Sequence, residues 1–346
     1  MQIISYFCTI MNEMISVIVC TYNQENTIGR TLESILMQQC HVPIEIVIGE
    51  DCSTDNTLGI CREYEQRNPD KIRVIANNPN KGLINNYFDC ILASKGKYIA
   101  DCAGDDFWID PLKLEKEVSI LEANENVTLV HTDWNYYNVS TGLTSPSPRK
   151  PFPNSITRGY EMLNSIITQR SIPVVHLCTS LYRADIIRKA LADDPYMFRN
   201  DDFGCEDIQI IFTMAQSGDI AYLPDVTLNY SRGQNTVSYS PDIKKKYRFI
   251  SRVTALSYYI SQKFNIINTH TEEYFQQRVF ELAMHAFRAH DTGLRDETLE
   301  HAKEWKVKSV SKIRFVLFVM RHPLLWRLGL IARKVFVTCK RVLRGK

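Results

Sequence analysis

An alternation of two apolar periods most narrows the folds open to this chain. Short runs rich in β-branched residues take turns with segments whose apolar residues recur at helical spacing. Ile15-Ser-Val-Ile-Val-Cys20 predicts a fully buried strand. Ile28 to Gln38 follows as a helix, with Ile28, Leu32, Ile35 and Leu36 on one face. Further strands are expected at Glu45–Gly49, 72–76, Lys97–Asp101 and Val127–His131. The helices between them run from an Asp55 cap to about Asn68, ahead of Pro69, and from Gly82 to Ser94. Another opens at Asp110-Pro111, with proline in its first turn, and reaches about Ala123. Strand–helix repetition of this kind means βαβ units. The fold class is therefore α/β, with a mostly parallel twisted sheet flanked by helices.

Beyond His131 the pattern is less regular. Residues 140–155 carry Pro146, Pro148, Pro151 and Pro153 among Ser and Thr, which predicts a long binding or lid loop. Helices are expected at 158–168, 184–192 and 206–217, and a strand-like segment at 173–182. Residues 242–304 read as a helical C-terminal region.

In an open parallel sheet, ligands bind beyond the carboxyl ends of the strands, so the residues just after each strand are the informative ones. Those residues are Thr21-Tyr22-Asn23, Glu50-Asp51-Cys52-Ser53-Thr54-Asp55, Asn77 to Gly82, and Gly104-Asp105-Asp106. A tyrosine, several acids and a glycine-containing loop should converge on one edge. No G-x-G-x-x-G and no Walker lysine loop is present, so dinucleotide redox chemistry and ATP hydrolysis lose their usual signatures.

Thr21-Tyr-Asn23, Glu50-Asp-Cys-Ser-Thr-Asp55, Gly104-Asp-Asp-Phe-Trp108 and Cys205-Glu-Asp-Ile208, in that order, resemble family 2 of the inverting glycosyltransferases, whose fold is called GT-A. The resemblance spans residues 14–240. It implies a nucleotide-sugar donor, UDP above all, bound by Thr21, Tyr22, Asn23, Asp51 and Ser53. Tyr22 would stack on the base, since an aromatic face suits a π-face. Asp51 would accept from a base N–H. Asp105 would reach ribose or sugar hydroxyls, and Asp106 would hold Mn²⁺ or Mg²⁺ against the diphosphate. Asp207 would be the general base on the acceptor hydroxyl, oriented by Glu206. The bland alternatives are a core tyrosine, a loop-turning Asp51, and acids that merely suit a helix N-terminus. By propensity alone the last of these wins for Glu206-Asp207, and the family pattern reverses it. Where many relatives carry another acid, two positions before the pair, this chain has Ala103. Where a histidine is common before Asn235, it has Gly233 and Gln234, so Arg232 is a substitute phosphate contact. Lys81 is a second phosphate candidate, against the plain reading of a solvated lysine. His131 and His176 read as core or strand-end residues.

Composition matters for the tail. The 41 Lys+Arg and 39 Asp+Glu give a net charge of only +2, but no acid follows Glu304. Residues 305–346 hold 12 of the basic residues, leaving 29 against 39 acids before them. From Leu324 to Leu343 apolar residues recur every three or four positions between Arg327, Arg333, Lys334, Lys340 and Arg341. This predicts basic amphipathic helices, broken near Pro323, lying on an anionic inner-membrane surface. The alternative is a helix packed on the catalytic domain with a solvated basic face. Nucleic acid is disfavoured as a partner by the acidic body and the apolar tail. Ten cysteines without a C-x-x-C pair fit a reduced setting, and the N-terminus lacks the basic residues of a signal peptide. Residues 1–13 are expected to add nothing to the fold.

The expected organisation is a catalytic domain at 14–240, a helical extension at 241–304 and a basic tail at 305–346. The expected function is metal-dependent inverting sugar transfer to a glycan or lipid-linked glycan hydroxyl, in polysaccharide or lipopolysaccharide assembly on the cytoplasmic membrane face. A membrane-associated scaffold on a decayed transferase fold and a nucleotidyltransferase are the alternatives. The latter usually needs a glycine-rich basic loop where Thr21 to Glu25 stands.

Overall fold

A computed structural model describes residues 14–148, 152–169, 175–233, 242–308 and 311–332. The expectations for residues 1–13, for Gln234 to Ser238 and for 333–346 lie outside the described residues. The chain forms two compact units, Met1–Gly233 and Gln234–Lys346.

The first unit realises the alternation. Its leading elements are β1 (Ile15–Thr21), α1 (Ile28–Leu36), β2 (Ile44–Glu50), α2 (Thr57–Arg67), β3 (Ile72–Ala76), α3 (Gly82–Ala93) and β4 (Tyr98–Asp101). Next come β5 (Phe107–Trp108), α4 (Lys113–Ala123), β6 (Val127–Asn138), β7 (Thr144–Pro146), β8 (Ile156–Thr157) and α5 (Gly159–Thr168). The unit closes with β9 (Ser180–Arg183), α6 (Ala184–Asp193), α7 (Pro195–Arg199), α8 (Asp207–Ser217) and β10 (Asp219–Arg232). The main sheet path is β3-β2-β1-β4-β9-β6-β10-β5. β3, β2, β1 and β4 are mutually parallel, and β6 is parallel to β10. β9 enters antiparallel between β4 and β6, so the sheet is mixed. Ile15, Val17, Ile18 and Val19 are buried, as a strand covered on both faces requires.

Several boundaries differ from expectation. β6 runs on from His131 to Asn138 and pairs with β7, which lies inside the expected 140–155 loop. The described part of 173–182 is a 3₁₀ turn, Leu177–Thr179, before β9. Helix α4 starts at Lys113, not at Asp110-Pro111, because the Asp110 carboxylate accepts from the Leu112 N–H (2.9 Å) in a turn ahead of the helix. β10, the longest strand, has no clear period-two signal, because its register with β6 shifts between Tyr222 and Val226 around Pro224 and Asp225.

The second unit is helical: α9 (Ile243–Lys263), α10 (Thr269–Ala289), α11 (Thr292–Glu304), α12 (Ser311–Arg321) and α13 (Pro323–Ala332). Asp242, Asn268 and Asp291 cap the first three of these. Tyr247, Val279, Leu282, Phe287 and Trp305 pack in one core with Ile313, Leu317, Met320 and Trp326. The described part of the basic tail is thus built into this unit by one of its faces.

Candidate functional site

The strand-end segments are stitched together by their own polar groups. After β1, the Asn23 N–H donates to Ser53 Oγ (2.9 Å), and Asn23 Oδ1 accepts from the Thr54 N–H (2.8 Å). The Thr21 hydroxyl donates to Gln24 Oε1 (2.7 Å), and the Asp51 N–H donates to the Thr21 carbonyl (3.1 Å). Gly104 lies so close to Thr21 and Gln24 that a Cβ there meets both side chains. Asn23 and Cys52 hold positive φ angles, 53° and 62°. Asparagine tolerates this conformation; cysteine does so at a cost of about 1–2 kcal/mol. Cys52→Gly should therefore stabilise the protein by up to about 1 kcal/mol after the glycine entropy penalty, read as a higher calorimetric Tm.

Asp51 organises the third loop. Its buried carboxylate accepts from Asn77 Nδ2 (3.0 Å) and from the N–H groups of Lys81 (2.8 Å) and Gly82 (2.9 Å). Three of roughly four acceptor positions are therefore taken by the protein itself. The Lys81 ammonium pairs with Asp89 (2.7 Å). Tyr22, by contrast, presents its ring to solvent at 48% exposure.

Asp105 and Asp106 turn the chain between β4 and β5. Asp106 is fully buried; Oδ1 accepts from the Ser231 N–H (2.8 Å), and Oδ2 has no hydrogen-bond partner. Burial and the Asp105 charge push its carboxyl well above the usual range, and burial raises Asp105 too. Arg30 braces the turn by donating to the Asp105 carbonyl (3.0 Å), with its guanidinium 4.0 Å from the Phe107 ring centroid. Ser231 Oγ donates to the same carbonyl (2.5 Å), which ties the end of β10 to the acid pair. Neighbouring Arg232 lays its guanidinium over the Tyr136 ring, 3.3 Å from the centroid.

Glu206 and Asp207 stand at the start of α8. Both keep part of their surface, so they are reachable. Desolvation is still the leading influence on each, raising Asp207 to about 6 and Glu206 well above its usual value. Their hydrogen bond raises Glu206 and lowers Asp207. The consistent state is a protonated Glu206 donating to an ionised Asp207. Asp101 lies nearby at the end of β4. Burial first, and then the Asp207 charge, lift it to about 7 against hydrogen bonds from Tyr87 and Tyr182. The Cys20 thiol, next to the end of β1, is raised by its bond with Cys90 and by burial, with Glu206 and Asp101 within electrostatic reach. The first turn of α8 is thereby placed beside the carboxyl ends of β1 and β4.

The strand-end candidates thus converge with Glu206 and Asp207; at the end of β10 it is Ser231 that touches the acid pair, while the Arg232 guanidinium rests on Tyr136. His131 is buried between the Phe152 and Tyr222 rings, and His176 lies against Trp134 and Tyr230, as core or strand-end residues. Sequence reasoning missed Asp101 and Arg30, and it placed Ser231 only within the Tyr230-to-Ser238 segment that resembles the family's closing segment, without a role. A charge closing an apolar strand was the available signal for Asp101; Arg30 carries none, because it acts through a backbone carbonyl brought close only by the fold.

A sequence profile described as glycosyl transferase family 2 matches residues 16–191, just over half of the chain. An uncharacterised protein of Mycobacterium tuberculosis is 40% identical over 114 residues, 33% of each chain. The Escherichia coli UDP-Glc:alpha-D-GlcNAc-diphosphoundecaprenol beta-1,3-glucosyltransferase WfaP is 34% identical over 140 residues, 39% of this chain and 53% of that one. These alignments span about a third to a half of those relatives' lengths. Among solved structures, S. aureus TarS 1-349 in complex with UDP-GlcNAc superposes with a TM-score of 0.53 at 17% identity, covering 89% of this chain and 91% of that one. A Pyrobaculum calidifontis mannosyltransferase in complex with GDP-Man and Mn²⁺ gives 0.55 at 16% identity, covering 92% and 84%. Both support the same fold, an α/β GT-A sheet flanked by helices with a helical C-terminal region.

Proposed function

The chain belongs to glycosyl transferase family 2, and from that premise we propose that it moves a sugar from a UDP-sugar to a glycan or lipid-linked glycan hydroxyl, with inversion. The observation that carries this reading is the pairing of two different carboxylate sites at one sheet edge. Asp105 and Asp106 form a buried pair with an unpartnered oxygen; Glu206 and Asp207 form a partly exposed pair whose carboxyls burial raises. The donor and acceptor classes are supported by the description of WfaP and by the UDP-GlcNAc complex of TarS.

Each residue then has a role. The exposed Tyr22 ring stacks on the base, and the remaining acceptor position of Asp51 takes a base N–H. Thr21, Asn23 and Ser53 hold that platform in shape. Asp105 faces ribose or sugar hydroxyls. Lys81 and Arg232 are phosphate contacts, Lys81 by leaving Asp89 for the diphosphate. Asp207 takes the acceptor proton, and Glu206 keeps Asp207 ionised and aimed. A hard-oxygen pair with an unpartnered buried carboxylate oxygen fits Mn²⁺ or Mg²⁺, with Asp106 as the direct ligand. When bound, that ion would neutralise charge on the departing diphosphate. With Ala103 in place of an acid, two carboxylates are all that this turn offers.

Turnover of a UDP-sugar panel with Mn²⁺, read as UDP release with and without acceptor extract, tests the proposal. Absence of both turnover and UDP binding overturns it. UDP binding without any turnover favours the scaffold reading instead. Asp106→Asn keeps the acceptor for the Ser231 N–H, so it should fold normally. It should also lose the extra Tm rise that Mn²⁺ gives in the presence of UDP, by ligand-linked stabilisation.

The same reading puts the protein on the cytoplasmic face of the membrane, held by its second unit. α12 and α13 meet at 113°, and among the described residues no single helix is long and apolar enough to cross a bilayer. Phe315, Phe318, Leu324, Leu325, Leu328 and Ile331 are exposed, and Lys312, Arg314, Arg321 and Arg327 are exposed among them. An apolar face edged by cations suits an anionic interface.

A further inference from the structure

We propose a second metal site, for zinc or a similar borderline-soft divalent ion, built from Cys40, His41 and Glu115. It lies far in topology from the nucleotide edge. Cys40 and His41 precede β2, at the amino ends of the parallel strands, whereas Asp51, Asp105 and Asp106 follow carboxyl ends. The proposal does not depend on the sugar-transfer reading.

One ligand atom each from Cys40, His41 and Glu115 lies within 4.8 Å of the others. A tetrahedral zinc site, with bonds of about 2.0–2.3 Å, needs such atoms roughly 3.5 Å apart, so side-chain adjustment alone closes it. Among the described residues this is the sole three-ligand group of that kind. The donor set is a thiol, an imidazole and a carboxylate, which selects zinc over magnesium or calcium.

The surroundings are those of a positioned ligand. His41 Nδ1 is 2.8 Å from Glu115 Oε2, while its Nε2 is 3.3 Å from Glu122 Oε2. With Nδ1 on the metal, Glu122 takes the Nε2–H, the carboxylate–histidine–metal arrangement that fixes tautomer and ring orientation. The backbone is already set. The His41 N–H donates to Glu115 (3.0 Å), and the Gln39 N–H donates to the Pro111 carbonyl (2.9 Å). Gln38 spans to the Asp110 carbonyl (2.7 Å) and accepts from the Leu114 N–H (3.1 Å). His41 is half-exposed, which leaves a fourth position open to water. The Cys40 thiol donates to the Glu115 carboxylate that also pairs with His41, so one carboxylate already gathers thiol and imidazole at the point a metal would occupy. On binding, the thiol proton leaves to solvent and the thiolate becomes a ligand, so affinity rises with pH.

The test is a Co²⁺ titration of the reduced, metal-free full chain, followed by absorption. The expected result is a near-ultraviolet thiolate-to-cobalt band with visible bands of tetrahedral intensity. Both should be lost in Cys40→Ser and in the surface variant His41→Gln, and kept in Asp106→Asn. Glu122→Gln should weaken binding by about 10–100-fold. A Zn²⁺-dependent rise in Tm should follow the same pattern. No thiolate band, or a band that survives both Cys40→Ser and His41→Gln, overturns the proposal.

Discussion

Asp207→Asn is expected to lower sugar transfer by about 10²–10⁴-fold, while UDP binding and its metal dependence stay intact. An amide has the shape of the carboxylate but cannot take the acceptor proton. The pH profile adds a second readout. Asp207 must be ionised to act, so kcat/KM should rise with pH through an apparent value of about 6 and level off above it. Glu206→Gln retains a donor to Asp207 and should leave that limb nearly in place. Glu206→Ala removes the donor whose hydrogen bond lowers Asp207, so the limb should move to higher pH. Stability separates loss of chemistry from loss of fold. The Asp207 carboxyl is raised in the folded state, so the folded protein binds its proton more tightly than the unfolded chain does. Its contribution to stability is present below the unfolded value near 3.8 and is lost as pH rises through about 6. At pH 8 Asp207→Asn should therefore unfold no earlier than the parent. Transfer that survives the substitution sinks the assignment of the base.

The parallel half of the sheet and its ligand edge were legible because each strand there is a continuous apolar run and each loop after it is polar. β10 was not legible, because the register shift around Pro224 and Asp225 breaks the period while the ladder with β6 continues beyond it. β9 was blurred for a similar reason: a 3₁₀ turn runs straight into it. At the site, the acids could be named from strand ends and motif order. Which of them carries a proton could not, since that depends on burial and on partners from distant segments. Asp106 shows this most clearly: its shift comes from burial and from Asp105, while Ser231, 125 residues away, holds one oxygen. Asp51 shows the converse. The pattern names it as a ligand residue, and the fold reveals that most of its acceptor capacity is spent on the Asn77–Gly82 loop.

Replacing Phe315, Phe318, Leu324 and Leu328 with serine is expected to release the protein from anionic vesicles. Deleting residues 305–346, the cut suggested by the charge pattern alone, is a poor test. Trp305, Ile313, Leu317, Met320 and Trp326 are buried in the second unit's core, and the Trp326 indole N–H donates to the Phe287 carbonyl (3.0 Å). Losing them would expose Phe287 and Val279 and confuse unfolding with detachment. The four substituted residues share the same helices but face outward, so the core side of α12 and α13 stays intact. Two forces hold the parent protein. Each basic residue near an anionic surface contributes about 1 kcal/mol, and the exposed Lys312, Arg314, Arg321 and Arg327 supply charge that salt screens. Each apolar side chain fully removed from water contributes about 1.5–3 kcal/mol, which salt does not screen. Co-sedimentation with vesicles of mixed phosphatidylglycerol and phosphatidylcholine should therefore show partial loss of the parent protein at high salt. The serine variant should bind more weakly than the parent at every salt concentration and be lost completely at high salt, where its remaining cations are screened, with UDP binding unchanged in both. If the parent ignores anionic vesicles, or the serine variant binds them equally well, the exposed face is not a membrane surface and the cytoplasmic-face placement falls with it.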